Sequence, residues 1–278
     1  MSAAMNHPTW LLDAQRLDKA YGRIAVLHGV SLGIAAEEAH VVIGPNGAGK
    51  TTLFKVLTGE LRADRGQVRF RDQDISHLSA HQRVQRGFGR TFQVAKVFPR
   101  LSVQDNLRIA LEARQRRGGL WAGVLAGLSA TAVRAVAEAG EQLLIDTGLQ
   151  RQRRLAAGTL AYGDRKRLEL AMVLALEPQV LFLDEPTAGM SAAERQATVQ
   201  LLKTVQRQRR LAMLLTEHDM DVVFGLADRI SVLHHGRLIA SDTPQAIRAD
   251  ARVQEVYLGD APAEPCADKP RAAGGAHA

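Results

Sequence analysis

An α/β fold with a mainly parallel sheet flanked by helices is what this sequence predicts, and three observations predict it. Short, wholly apolar runs at 41–43, 180–183 and 211–215 alternate with stretches of helical spacing at 52–57, 165–176 and 192–209. Strands that are apolar on both faces belong to a sheet covered on both sides. The first run leads straight into a glycine-rich loop, and the second ends in paired carboxylates, Asp184 and Glu185. Ligands of such sheets sit beyond the carboxyl ends of the strands, where both features fall.

Taken in order, residues 11–17 and 26–34 read as edge strands around the turn Tyr21-Gly22-Arg23, and 41–43 as a short buried strand. Helical spacing follows at 52–57, and 67–70 alternates as a strand. Residues 87–97 read as a mixed connection that leads to Pro99. Helices are expected over 101–117 and 130–147, the second stopping near Gly148. Leu168, Ala171, Met172 and Ala175 give 165–176 one apolar face, and Pro178 ends it. Residues 230–233 and 238–240, joined across His235-Gly236, read as a closing hairpin. Residues 1–10 form an N-terminal extension, and 260–278, rich in Ala, Pro and Gly, is expected to be a disordered tail.

Composition narrows the function classes. A chain of 278 residues fits one large domain plus a short tail. Aromatic residues make up 4%, too few for a platform that stacks on bases. Cys266, the sole cysteine, excludes an internal disulfide and a cysteine-based zinc site, and points to a reducing compartment. The formal charge of +7 gathers in arginine clusters at 114–117, 151–154 and 207–210. Without interleaved aromatics these read as solvated helix surface or a face beside an anionic membrane, and no nucleic-acid partner is expected. The start of the chain lacks the basic and apolar regions of a secretory signal. The charge-free stretch 118–133 is shorter than the roughly 20 apolar residues of a spanning helix, is broken by Gly119, Gly123 and Gly127, and reads as a surface insertion.

Gly44-Pro45-Asn46-Gly47-Ala48-Gly49-Lys50-Thr51, followed by Thr52, has the spacing G-x-x-x-x-G-K-[ST] between a predicted strand and a predicted helix. Such a P-loop turns successive backbone N–H groups inward as a cradle for phosphate oxygens, and the following helix adds a partial positive charge. Lys50 reaches the β- and γ-phosphates, and the Thr51 hydroxyl suits Mg²⁺. A nucleoside triphosphate and Mg²⁺ are therefore the expected ligands, and the loop alone leaves kinases, GTPases and ATPases open. Asp184, at the end of a strand beside this loop, can hold Mg²⁺ through its water shell, and Glu185 can polarise the attacking water.

Leu160-Ala161-Tyr162-Gly163-Asp164, just before a basic helix, resembles the signature of ABC ATPases, L-S-G-G-Q in its commonest form. The resemblance runs over 11–259 and implies an ABC-type P-loop NTPase with an antiparallel β subdomain and a helical signature subdomain at about 88–178. It implies that the signature of one subunit closes over ATP held by another. Ala161 stands where serine is usual and Tyr162 where glycine is usual. It further implies that Tyr21 stacks on adenine, that Gln93 of Arg90-Thr91-Phe92-Gln93 approaches Mg²⁺ and the attacking water, and that His218 of Thr216-Glu217-His218-Asp219 contacts the γ-phosphate. Glu185, His218, Lys50 and Gln93 are thus the expected catalytic set, and Thr51, Gln93 and Asp184 the metal set. Ser191 stands where aspartate is usual and is suited to cap the next helix.

Phe88-Gly89-Arg90-Thr91-Phe92-Gln93, the run from Phe98-Pro99-Arg100 to Asp105-Asn106-Leu107, the insertion 112–157 and the ending Val256-Tyr257-Leu258-Gly259 resemble bacterial ATPases for branched-chain amino acid uptake. That resemblance implies transmembrane permease partners, a second ABC ATPase subunit in a homo- or heterodimer, a solute-binding protein acting indirectly, and a peripheral place on the cytoplasmic face of a bacterial inner membrane. Urea, amide, lipid or lipopolysaccharide transport, and a soluble ABC ATPase acting on ribosomes or nucleic acid, are the alternatives.

Overall fold

The computed structural model describes residues 10–91, 95–115 and 130–259. In chain order its strands are β1 (Leu12–Tyr21), β2 (Ile24–Ile34), β3 (Ala39–Ile43), β4 (Arg65–Phe70), β5 (Gln73–Asp74), β6 (Phe88–Arg90), β7 (Val180–Asp184), β8 (Ala212–Thr216), β9 (Arg229–His234) and β10 (Arg237–Asp242). The helices are α1 (Lys50–Thr58), α2 (Ala80–Gln85), α3 (Val103–Gln115), α4 (Ala130–Thr147), α5 (Tyr162–Leu174), α6 (Ala192–Arg209), α7 (Met220–Leu226), α8 (Pro244–Ala249) and α9 (Ala251–Gly259).

Six strands form the central sheet in the order β10-β9-β3-β8-β7-β6. All its pairings are parallel except β9 with β10, the closing hairpin. Side chains alternate between its faces. Val41, Ile43, Leu181, Leu183, Met213 and Leu215 point into one core with α3 to α7. Val42, Phe182 and Leu214 point into a second core with α1 and the antiparallel sheet. Both faces are covered, so the strands have no polar side, which is why the sequence shows them as unbroken apolar runs.

The antiparallel sheet has the order β2-β1-β4-β5. Residues 11–17 were expected at an edge, but β1 lies inside this sheet, because β4 pairs along its other side from Leu12↔Phe70 to Asp18↔Arg65. Residues 87–97, expected as a connection, contain β6, which adds to the edge of β7. Three residues are too few to show a period, and Gly89 hides the strand further. A side chain there would strike Val173 and Pro178 at 2.7–3.0 Å, so glycine lets the end of α5 approach the sheet. The short helices α2, α7 and α8 were not anticipated. Each carries a cap that does mark it: Ser79 with Gln82, Asp219, and Thr243 before Pro244. The expected N-terminal extension up to 9, most of the surface insertion, and the tail beyond 259 lie outside the described residues.

A run of rings joins α1 to both sheets. Phe54 meets Phe182 edge-on at 5.9 Å, Phe182 stacks on Phe88 at 5.5 Å, and Phe88 meets Phe70 at 4.8 Å. Replacing such a buried ring by alanine costs about 3–5 kcal/mol. The other end of α1 is held by Arg83, one of the largest buried side chains among the described residues. Its guanidinium donates to the carbonyls of Val56 (2.9 Å), Leu57 (2.6 Å) and Ile75 (2.9 Å). A cation at a helix C-terminus complements the helix dipole. Burial pushes this guanidinium down to about 10, which leaves it charged at neutral pH.

His40, on β3, is fully buried beside Ser231, 2.8 Å from its hydroxyl. Desolvation, helped by the charge of Arg229, pushes its imidazole from 6.5 down to about 3. The unfolded chain binds a proton here as pH falls below 6.5, whereas the folded chain does not until about 3, so folding stability declines as pH drops through that window. Urea unfolding at stepped pH is expected to show this decline, and His40→Asn is expected to flatten it. An unchanged slope in the variant would rule His40 out as the cause.

Candidate active site

Strand β3 delivers the chain into the loop 44–49, and α1 begins at Lys50. Gly44 is required by space: a Cβ there would lie 2.0 Å from the carbonyl oxygen of Leu233. Gly49 is required by conformation, since it caps α1 in the left-handed region (φ 105°). It brings no side-chain hydrogen bond, so the first N–H groups of α1 stay available to an anion. Lys50, 8% exposed, folds back so that Nζ donates to the carbonyls of Gly44 (2.6 Å) and Pro45 (3.1 Å). Burial holds Lys50 below the ordinary lysine range, with Glu185 and then Asp184 acting against that shift.

A cavity of about 240 Å³ opens over this loop. Its walls are 46–52, Val26 of β2, Glu185 and His218. The structure thus brings together the phosphate cradle, Thr51, Thr52, one carboxylate and the histidine. A larger cavity of about 610 Å³ lies between α3 and α4. Leu107, Leu111, Val136 and Leu144 line it together with Asp105, Glu112 and Glu141, and no part of the glycine loop reaches it.

Asp184 ends β7, buried, and its Oδ1 accepts from the Thr216 hydroxyl at 2.8 Å while Oδ2 lies 4.0 Å from Arg90. Arg90 is itself paired with Glu60 and donates to the Thr58 hydroxyl at 3.1 Å. Glu185 follows with a left-handed backbone (φ 47°), unusual for a residue with a side chain. Its N–H is held by the Thr216 carbonyl (3.1 Å) and hydroxyl (3.2 Å). This turn aims Glu185 at the cavity, where its Oε1 lies 2.9 Å from Nε2 of His218.

The stretch Leu160-Ala161-Tyr162-Gly163-Asp164 makes the start of α5. Ala161 is the N-cap and offers no side-chain hydrogen bond to the first turn of this helix. None of these residues lines the cavity. Tyr162 lies instead against the loop after Glu185, its ring 3.8 Å from where a Cβ on Gly189 would stand. Asp164 accepts from Gln152 at 3.2 Å. Ser191 caps α6 in a reciprocal box with Glu194, as its position suggested. Tyr21 is 48% exposed at the tip of the β1–β2 hairpin and does not line the cavity. Gln93 lies outside the described residues.

Sequence reasoning passed over two residues that shape the site, Thr216 and Glu217, and a buried polar residue outside it, Asn106. Thr216 donates to the Asp184 carboxylate and accepts from the Glu185 backbone N–H, as above. Glu217 binds Thr187 and the His218 backbone. Asn106, fully buried, holds the turn after Pro99, exchanging hydrogen bonds with Phe98 (2.7 and 3.1 Å) and donating to the Ser102 carbonyl (2.9 Å). A polar residue inside an otherwise recognisable motif is the one signal the sequence gives for each.

The ABC transporter family model matches residues 27–188, a span that contains the glycine loop, both carboxylates and the uncapped start of α5. The chain belongs to the ABC transporter family, as an ATP-binding domain. This ABC domain is an ATPase whose hydrolysis is coupled to transport. A second model, for branched-chain amino acid ATP-binding cassette transporters, matches 237–263. The domain is 37% identical to the high-affinity branched-chain amino acid transport ATP-binding protein LivG of Escherichia coli K12, over 90% of this chain and 98% of LivG. It is 35% identical to the lipopolysaccharide export system ATP-binding protein LptB of Acidithiobacillus ferridurans, over 90% of this chain and 97% of LptB. Among solved structures it resembles MJ1267, an ATP-binding cassette of an ABC transporter in its ADP conformation, with a TM-score of 0.77 and 26% identity over 90% of this chain and 99% of that one. Among the described residues no helix is long and apolar enough to cross a membrane.

The two glycines that open and line the loop are expected to respond differently to alanine. Gly44→Ala puts a methyl group into the Leu233 carbonyl and is expected to lower stability by about 3 kcal/mol and abolish ATP binding. Gly47→Ala meets nothing within 4 Å and carries a left-handed strain (φ 79°) of about 1 kcal/mol. Thermal unfolding and equilibrium ATP binding check the ranking, and equal effects at the two positions would contradict it.

Proposed function

We propose that this ABC domain is the ATP-hydrolysing subunit of an importer that takes up branched-chain amino acids, or a related small solute such as urea or an amide, through separate membrane permeases. The observation that carries the solute class is the branched-chain match over 237–263, which covers β10, α8 and α9, beyond the nucleotide-binding match. The likeness to LivG supports it. Lipopolysaccharide export is the second reading, favoured by the likeness to LptB.

In this reading the triphosphate lies on 46–52, facing the free N–H groups of α1, and Lys50 leaves the Gly44 and Pro45 carbonyls for the β- and γ-phosphates. Thr51 and Asp184 are hard oxygen donors, a set that suits an ion sharing its remaining positions with phosphate and water. Mg²⁺ held there, with Gln93 approaching it, would offset charge on the phosphates. Glu185 orients and polarises the attacking water. His218 holds Glu185 through its 2.9 Å contact and faces the γ-phosphate. Tyr21 packs on the adenine. The turn 160–164 stands away from the cavity of its own chain, at a helix N-terminus without a side-chain cap, and closes over ATP bound to a second ABC subunit, identical or related. Closure of that pair moves the permeases, and hydrolysis resets it.

The domain then extends over 11–259, with a helical subdomain at about 88–178, and sits peripherally on the cytoplasmic face of a bacterial inner membrane. A solute-binding protein acts on it through the permeases, and nucleic acid has no part. Replacing Glu185 by Gln is expected to slow phosphate release by about 100-fold or more while ATP-bound dimers accumulate on size exclusion. Unchanged turnover would remove Glu185 from its role. Cells lacking the gene are expected to lose uptake of labelled leucine, isoleucine and valine. Intact uptake together with failed lipopolysaccharide delivery would favour the second reading.

A further inference from the structure

Glu217 stands directly before His218, just past the end of β8, and is 4% exposed. A carboxylate so far removed from water must find donors. Its Oε1 accepts from both the N–H (3.0 Å) and the hydroxyl (2.7 Å) of Thr187, and its Oε2 accepts from the N–H of His218 (3.2 Å). The donors come from two different loops. One leaves β7 through Glu185, and the other leaves β8 through His218.

We propose that Glu217 is a positioning residue that fixes the separation of Glu185 and His218 by bridging the loops that carry them. The inference rests on reading those two residues as the hydrolytic pair. Their own contact is open to water, with side chains 24% and 45% exposed, and ion pairs in such surroundings are weak. The 2.9 Å geometry therefore has to be imposed from below. Parallel pairing aligns Asp184 with Thr216, the N–H of Glu185 binds Thr216, and Glu217 then binds Thr187 two residues further on. These steps tie both loops together from the strand ends outward. Hydrogen bonds to a carboxylate in a buried setting are the strong kind, and the two from Thr187 are buried, while the one from the His218 N–H is part-buried. The bond to Thr187 also restrains the loop through Gly189, which runs past Tyr162.

The test uses the full chain assembled with its permeases. Glu217→Gln keeps the volume but puts an NH₂ group where an acceptor oxygen is needed, and it is expected to lower kcat at least about tenfold, since small misplacements at a reacting centre are costly. ATP affinity, measured without turnover, is expected to stay within about twofold, because the cradle at 46–52 is untouched. The imidazole ¹⁵N signals of His218, assigned by their loss in His218→Ala, are expected to shift in Glu217→Gln. A folded Glu217→Gln protein with kcat within about twofold of the parent and unshifted His218 signals would overturn the inference. Should that variant not fold, Thr187→Val removes a single donor from the bridge and is expected to lower kcat about threefold, and parental turnover there would overturn it equally. If Glu185→Gln and His218→Ala leave turnover intact, the catalytic reading itself fails, and this inference with it.

Discussion

At the start of α1 the backbone N–H groups have no partner inside the helix, and Gly49 brings no side chain to take one. Unsatisfied donors in a folded protein are costly unless something else claims them, so this helix end is stable as a binding place for an anion. Much of the surrounding structure keeps it in that condition. Gly44 lets the loop pass against the Leu233 carbonyl. Lys50 holds the loop carbonyls. The rings of Phe54, Phe182, Phe88 and Phe70 fix the helix to the strand that bears the carboxylates.

The two-faced sheet explains how rigid packing and exposed chemistry coexist. Its strands are buried on both sides, with every residue of β3, β7 and β8 out of solvent. At their carboxyl ends the cover stops, and successive residues change from core to chemistry. In β7 and beyond, Leu183 packs, Asp184 is held by Thr216, and Glu185 turns through a left-handed backbone into the cavity. In β8 and beyond, Leu215 packs, Thr216 and Glu217 bind the opposite loop, and His218 faces the cavity. Strand register thereby becomes active-site geometry.

The sheet, the glycine loop and α4 and α6 were legible because their signals are local. Apolar runs mark doubly covered strands, and the loop motif has fixed spacing. Residues that matter through distant partners were not legible. Thr216, Glu217 and Asn106 look like ordinary polar positions until the fold sets them beside Asp184, Thr187 and Phe98. Strand β6 was missed because three residues carry no period, and the interior place of β1 because sequence shows which face of a strand is apolar but not which neighbours it pairs with. Tyr21 was assigned through family resemblance alone, and the structure leaves it at a hairpin tip.

Arg83 bears on how this domain tolerates change. It anchors the C-terminal end of α1 through main-chain carbonyls of Val56, Leu57 and Ile75. Such partners exist whatever side chains those positions carry. Substitutions can therefore accumulate around the arginine without compensating exchanges, provided the chain keeps its path. The arginine itself has no equivalent freedom: lysine lacks the forked donors that reach several oxygens at once, and an apolar replacement would take the guanidinium from the buried Leu57 carbonyl, while Val56 and Ile75 keep the N–H groups of Gly59 and Leu78.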